Sequence, residues 1–245
     1  LAEAPPKHSH EEYQLGLSLD SPGEYRYRGG RHPVPVGGLS VIQSGEAHRS
    51  RDADFPGPAT YRMMYVEPVL LRQAAAEVSG RTTGEPFVPD SVVRDGDLAR
   101  LFLNLCRALE GAASRLERES LLLCVLTGLV ERHAAAGPSP KPAGREHRAV
   151  RLVREYLEDN PAENVSLEEL ARLANLSPYH LNRVFSGEVG VPPYRYQLQA
   201  RLNRAKAMLS RGEPISRVAE QTGFADQSHF SRHFKRFVGV PPGRY

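Results

Sequence analysis

Ser228, Ser231, Arg232 and Lys235 recur at i, i+3, i+4 and i+7 near the C-terminus, so one face of a helix there carries two hydroxyls, a guanidinium and an ammonium. Gln227 and His229 lie beside them. The face has no large apolar residue, and its donors are of the kind that reach phosphate oxygens and base edges in a major groove. An earlier stretch repeats the arrangement, with Tyr179, Asn182, Arg183 and Ser186 at the same spacing and His180 beside them.

The elements that must position these side chains are helices in pairs. Ile215, Val218 and Ala219 form one apolar face of a short helix, which Thr222-Gly223-Phe224 breaks. Asp226 is placed to cap a second helix whose Phe230, Phe234 and Phe237 are expected to face the core. Upstream, Arg148 to Asp159 reads as an amphipathic helix. Ser166 with Glu169 makes a capping box ahead of Leu167, Leu170, Ala171 and Ala174. Asn175-Leu176 turns the chain, Ser177 caps, and Pro178 opens a helix whose core face is Leu181, Val184 and Phe185. The pattern thus occurs twice, joined by a helix from Tyr194 to Ser210. At 1.5 Å per residue that helix spans roughly 25 Å, and with the width of each unit it can set two recognition helices about 34 Å apart, one turn of B-DNA. Arg201, Arg204 and Lys206 on this helix are either phosphate contacts or a solvated face.

The run V-A-x-x-x-G-F-x-D-Q-S-H-F-x-R-x-F-K-R-x-x-G-V-P-P-x-x-Y, Val218 to Tyr245, resembles the signature of the AraC/XylS family of bacterial transcription regulators. The competing reading is a structural helical pair with a polar outer face. The resemblance implies a sequence-specific DNA-binding regulator. Its DNA-reading positions in the first unit fall on Tyr179, Asn182, Arg183 and Ser186, with His180, and its partners are double-stranded DNA, a small-molecule effector and RNA polymerase. Asn182 is suited to adenine and Arg183 or Arg232 to guanine, each bidentate pair giving about 1–3 kcal/mol of discrimination.

The N-terminal part reads as short strands separated by Gly and Pro turns. Tyr13 to Leu19 alternates strictly, as a half-buried strand does, and Glu24 to Arg28, Gly38 to Ile42 and Thr60 to Val66 follow. Such a series suggests a small barrel or jelly roll. Gly38 to His48 is similar to the second strand-turn motif of cupin barrels, with Gly45, Glu46 and His48 in place, which suits the sensory domain of AraC-type regulators. His8, His10 and His48 could make a three-nitrogen metal site. Against this, Gln14 stands near where a carboxylate belongs and Ser44 replaces a usual Pro. Polar rim histidines are the favoured reading, with no metal or other cofactor. Tyr13, Tyr25, Arg26, Tyr27, Tyr61, Met63 and Tyr65 supply either an aromatic pocket or a filled core. The ligand-binding candidates are therefore His8, His10, Tyr13, Arg26, Tyr27 and His48.

After Glu67-Pro68 the pattern turns helical, from Val69 to Val78, Asp97 to Glu110 and Ser114 to His133. The last is apolar on more than one side through Leu121, Leu122, Leu123, Val125, Leu126, Leu129 and Val130. Burial in one domain or a homodimer interface would each explain it. Residues 137–145, Pro-rich, read as a linker. The fold class expected is α+β and multidomain: a cupin-like β-barrel with flanking helices, sensing ligand and dimerising (1–136), and an all-α DNA-binding domain with two helix-turn-helix motifs (146–245).

Composition fits. Residues 1–145 carry 17 Lys+Arg against 18 Asp+Glu and residues 146–245 carry 15 against 11, so the basic excess lies with the expected reader. Cys106 and Cys124 sit in apolar helical patterns without a C-x-x-C pair, as reduced buried thiols of a cytoplasmic protein do. No membrane span or signal-peptide core is evident, and the chain begins at Leu1 rather than Met, as a processed chain or one lacking an N-terminal arm would. No Ser-His-Asp order, phosphate loop or nucleophilic Cys motif points to an enzyme. The alternatives are a cupin-type metalloenzyme with a helical interaction module, and a constitutive DNA binder with a ligand-free barrel.

Overall fold

The computed structural model describes residues 8–52, 60–81, 84–135 and 147–245. The expected linker at 137–145 lies outside these residues. The chain divides into two compact units, Leu1–Arg107 with Leu121–Lys141, and Ala108–Ser120 with Pro142–Tyr245. The segment 108–120, which the sequence groups with the N-terminal part, belongs to the second unit.

The first unit holds strands β1 (Tyr13–Ser18), β2 (Gly23–Tyr27), β3 (Gly30–Val34), β4 (Leu39–Ile42), β5 (His48–Asp52), β6 (Tyr61–Val66) and β7 (Val92–Val93). They form two antiparallel sheets, ordered β6-β1-β4-β7 and β3-β2-β5. The sequence pattern misses β3 because Pro33 interrupts it. The structure accommodates that proline because β3 is an edge strand paired only with β2. The alternation of β1 suggests one wet face, yet all six of its residues are buried, Gln14 to 2% exposure. The strand lies between β4 and β6, and its polar side chains point toward the other sheet: Gln14 Nε2 donates to Tyr25 Oη at 3.3 Å. Gly16 makes room there, since a Cβ would stand 2.7 Å from Ser40 Oγ.

The β2–β3 turn is a two-residue hairpin with Arg28 at φ 48 and Gly29 at φ 74, the left-handed pair that a tight antiparallel turn needs. Arg28 is held in this conformation by its own guanidinium, which pairs with Glu46 at 2.8 Å, donates to Gln43 and to the Val88 and Pro89 carbonyls, and lies over the Tyr27 and Phe87 rings.

Helices α1 (Pro68–Ser79), α2 (Gly96–Glu110) and α3 (Arg115–His133) follow. Leu121, Leu123, Val125, Leu126, Leu129 and Val130 of α3 are all buried within one chain, which leaves only Leu122 half-buried. The apolar excess in α3 is thus used inside the monomer.

The second unit is helical: α4 (His147–Asp159), α5 (Leu167–Ala174), α6 (Pro178–Val189), α7 (Pro193–Leu209), α8 (Ile215–Gln221), α9 (Gln227–Val238) and a 3₁₀ turn at Pro242–Arg244. Ser166 and Glu169 form the expected capping box on α5, and Asn175 ends it in the left-handed conformation at φ 55. The first turn of α3 joins this unit: Glu119 Oε2 accepts from Leu167 N at 2.7 Å, adding a second acceptor at the α5 N-terminus. Glu117 nearby is pushed above the usual carboxylate range by burial, which the Arg201 charge opposes.

Candidate functional site

Asp226 caps α9, accepting from His229 N at 2.7 Å. Phe230 and Phe234 are fully buried in a cluster with Leu202, Met208, Val218 and Phe224. At 100° per residue, Ser228, Arg232 and Lys235 fall on the arc opposite these rings, and all three are exposed, as is Gln227, while Ser231 is half-buried. Two expectations need correction. Phe237 is 44% exposed because it lies in the last turn of the helix, beyond the aromatic cluster. His229 is 9% exposed: its ring packs edge-on against Phe224 at 5.6 Å and His233 at 4.6 Å, on the flank of the core rather than the outer arc. Burial pushes both imidazoles down, His233 to about 4.

Ser177 caps α6, accepting from His180 N at 3.2 Å, with Pro178 in the first turn. Leu181, Val184 and Phe185 are its buried face, and Arg183 lies opposite, half-buried, with Nη2 3.5 Å from His180 Nδ1. Tyr179, His180 and Ser186 are also half-buried. Asn182 is buried to 6% exposure, against the expectation of an open face. It follows Leu181 and lies close in angle to Phe185 and Val189, so it flanks the core.

The joining helix α7 does what the sequence does not reveal. Arg201 is buried, and its guanidinium donates to three backbone carbonyls: Pro161 at 2.6 Å, Glu163 at 2.9 Å and Gly223 at 2.8 Å. The first two belong to the α4–α5 loop and the third to the α8–α9 turn, so one side chain ties both helix-turn-helix units to the helix between them. Gln197 Nε2 adds a bond to Glu163 O at 2.9 Å. Burial lowers Arg201 to about 10; with its guanidinium buried and bonded to three carbonyls, it is neither a phosphate contact nor part of a solvated face. Arg204 is exposed and Lys206 half-buried.

In the β-rich unit His8, His10 and His48 converge, with one ring nitrogen from each lying within 4.8 Å of the others. A two-way backbone bridge between His8 and His48 (3.0 and 2.8 Å) and the Gly45 N–H on His10 O hold the two segments, 8–10 and 45–48, together. His48 is not a rim residue: it is 1% exposed. Tyr13 and Tyr27 are buried core, the Tyr13 hydroxyl donating to Pro86 O at 3.0 Å and the Tyr27 hydroxyl accepting from Gln43 N at 3.1 Å, with burial pushing both phenols up to about 12. Tyr25 is buried between them in sequence, whereas Met63 and Tyr65 are exposed in part. Arg26 does not enter the interior. Strand alternation turns it outward between Tyr25 and Tyr27, where it lines an open groove of about 660 Å³ with Arg31 and Arg49.

A β-rich unit followed by two capped helix-turn-helix units on one joining helix defines a DNA-binding transcription regulator with a ligand-binding domain. Two family models match the chain, an AraC-like ligand binding domain over residues 3–126 and a helix-turn-helix domain over residues 170–245. The HTH-type transcriptional regulator YbfI of Bacillus subtilis (strain 168), itself uncharacterised, is 30% identical over 228 residues, covering 91% of this chain and 80% of its own. The transcriptional activator RhaS of Escherichia fergusonii is 24% identical over 246 residues, covering 97% of this chain and 86% of its own. A probable AraC family transcriptional regulator from Rhodopseudomonas palustris CGA009 is a solved structure with 29% identity over 40% of this chain and 93% of that one, at a TM-score of 0.38. The chain belongs to the AraC family of transcriptional regulators, and that membership makes it a regulator rather than an enzyme. Among the described residues, no helix is long and apolar enough to cross a membrane.

Proposed function

We propose that α6 and α9 are the DNA-reading helices of this regulator, with Arg183 and Arg232 as the base-reading side chains, and that a small molecule bound by the β-rich unit controls binding. One arrangement carries the reading: Ser228, Arg232 and Lys235 stand exposed opposite Phe230 and Phe234, while Arg201 locks the unit of α9 to that of α6. Tyr179, His180 and Ser186 accompany Arg183, and Gln227, Ser228, Ser231 and Lys235 accompany Arg232, as contacts to phosphates and neighbouring bases. Asn182 and His229 serve as supports of their helices. A single chain then presents two readers to one face of a duplex, the task usually shared by the halves of a dimer.

Cytoplasm is the compartment this role implies, and RNA polymerase the further partner. A homodimer would have to use a surface other than the α3 leucines, since these are covered within one chain.

The test is binding to a selected operator and to random duplex, both at one fixed salt concentration, because phosphate contacts make affinity strongly salt-dependent. Arg183→Ala and Arg232→Ala are expected to weaken operator binding on the order of 10- to 100-fold and random binding much less. Equal losses on both duplexes would make each arginine a phosphate contact and end its assignment as a base reader.

A further inference from the structure

The histidine cluster supports more than a wall of a pocket. His48 sits buried with Nδ1 3.2 Å from Glu46 O and Nε2 3.2 Å from Gln14 Oε1, both of them acceptors. A neutral imidazole carries one N–H. If Glu46 O takes that proton at Nδ1, the Nε2 lone pair is left aimed at another lone pair on Gln14. His10 Nε2 is buried with no hydrogen-bond partner among the described residues. The three rings stand with centroids 4.6–5.2 Å apart.

We propose that His8, His10 and His48 bind a divalent transition-metal ion through their ring nitrogens, with the Gln14 amide oxygen as a fourth donor. The donor set fits: neutral imidazole suits zinc, nickel, cobalt and copper, and zinc takes nitrogen at about 2.0–2.1 Å in tetrahedral sites. The nitrogens, now within 4.8 Å of one another, reach such a centre by small ring rotations. The Glu46 carbonyl on Nδ1 supplies the outer contact that fixes the tautomer of a ligating histidine. The amide in place of a carboxylate leaves the site with no negative charge, which predicts affinity below that of a three-histidine carboxylate site. The scaffold is the backbone bridge and the Gly45 contact, so the two segments that carry the histidines are already in register. The Gln14 amide has a metal-free alternative: turned over, its NH₂ donates to His48 Nε2 and its oxygen accepts from Tyr25. The experiment separates the two.

Untagged full-length protein is titrated with Zn²⁺ against a chromophoric chelator, and with Co²⁺ followed by its visible absorption. The expected result is a single equivalent bound, with the intense visible bands of a low-coordinate Co²⁺ site and a raised thermal midpoint. His10→Ala, at a half-buried position where the fold is not at stake, should weaken Zn²⁺ binding about 100-fold or more and abolish the Co²⁺ bands. Gln14→Ala should weaken it by about 10- to 100-fold, and Gln14→Glu should tighten it about tenfold or more by adding a charged oxygen. His48→Ala is read only if circular dichroism shows it folded; His10→Ala and Gln14→Glu decide the matter without it. A double His229→Gln, His233→Gln variant should bind as the wild type does. Failure of the wild type to bind, or a Co²⁺ spectrum indifferent to His10→Ala, would overturn the site and leave the turned amide as the resting arrangement. DNA binding plays no part in these readouts, so the site stands or falls apart from the reading of α6 and α9.

Discussion

Arg201 and Gly223 meet through a 2.8 Å hydrogen bond from guanidinium to carbonyl, and the same guanidinium holds Pro161 O and Glu163 O on the other side. A planar group with five fixed donors spans three carbonyls from two loops at once. The two helix-turn-helix units are thus tied to α7 through one side chain that lies on neither α6 nor α9.

Arg201→Lys is expected to separate stability from reading. An ammonium cannot reach all three carbonyls, and each buried acceptor left unsatisfied costs about 1–3 kcal/mol. Urea unfolding should show a loss of about 2–4 kcal/mol. Binding to duplex carrying both half-sites should fall more than binding to a single half-site, because only the former needs the two units aligned. An equal fall on both duplexes would show that Arg201 serves the fold alone.

Gly223 has a second reason to be glycine. It sits at φ 77, and a Cβ there would lie 2.8 Å from Ala162 Cα, against backbone that cannot step aside. Gly223→Ala is expected to cost more than about 2 kcal/mol, combining the left-handed penalty with the clash. Gly212→Ala, at φ 80 with open space around it, should cost only about 1 kcal/mol. Denaturation of the two variants side by side measures the difference.

How much of this the sequence shows depends on the range of the forces involved. The caps at Ser166, Ser177 and Asp226 are legible because a cap is decided within four residues, and the structure places all three as read. Arg201 reads as a surface cation because its carbonyl partners are 22 to 40 residues away. Asn182 and His229 are misplaced for a related reason: spacing gives an angle on the helix but not how far the neighbouring core reaches round it. The double burial of β1 and the covering of the α3 leucines likewise depend on neighbours brought in by tertiary packing. The grouping of the three histidines is legible from the motif, yet nothing local says that His48 is buried to 1% exposure.

Glu119 tests the role of the segment 108–120. Its carboxylate accepts from Leu167 N at 2.7 Å and pairs with Arg115 at 2.7 Å, so it adds negative charge and an acceptor where α5 begins. Glu119→Ala in the full chain should destabilise the second unit by about 1 kcal/mol, as loss of a capping group does. Residues 146–245 alone, which lack Glu119, should fold and bind DNA but unfold at lower urea than the same region of the full chain. Identical midpoints would show that this contact contributes nothing.

The last prediction concerns acid. His233 packs beside Phe224 and His229, and burial, followed by the charges of His229, Arg232 and Arg236, lowers it from 6.5 to about 4. In the unfolded chain the imidazole takes up its proton near its ordinary value, while the folded chain refuses it until about 4. Protons thus favour the unfolded state between these limits: the contribution is intact above about pH 6.5, is lost progressively as pH falls, and stops changing below about 4. His229, shifted down by the same burial, acts in the same direction. The unit carrying α9 should therefore weaken between neutral pH and pH 5, and operator affinity should fall with it. Urea unfolding at pH 7.5 and pH 5 measures the slope for the wild type and for His233→Gln. Replacement by the amide, which does not titrate here, should flatten the slope; a slope unchanged by His233→Gln would assign the acid sensitivity to other groups.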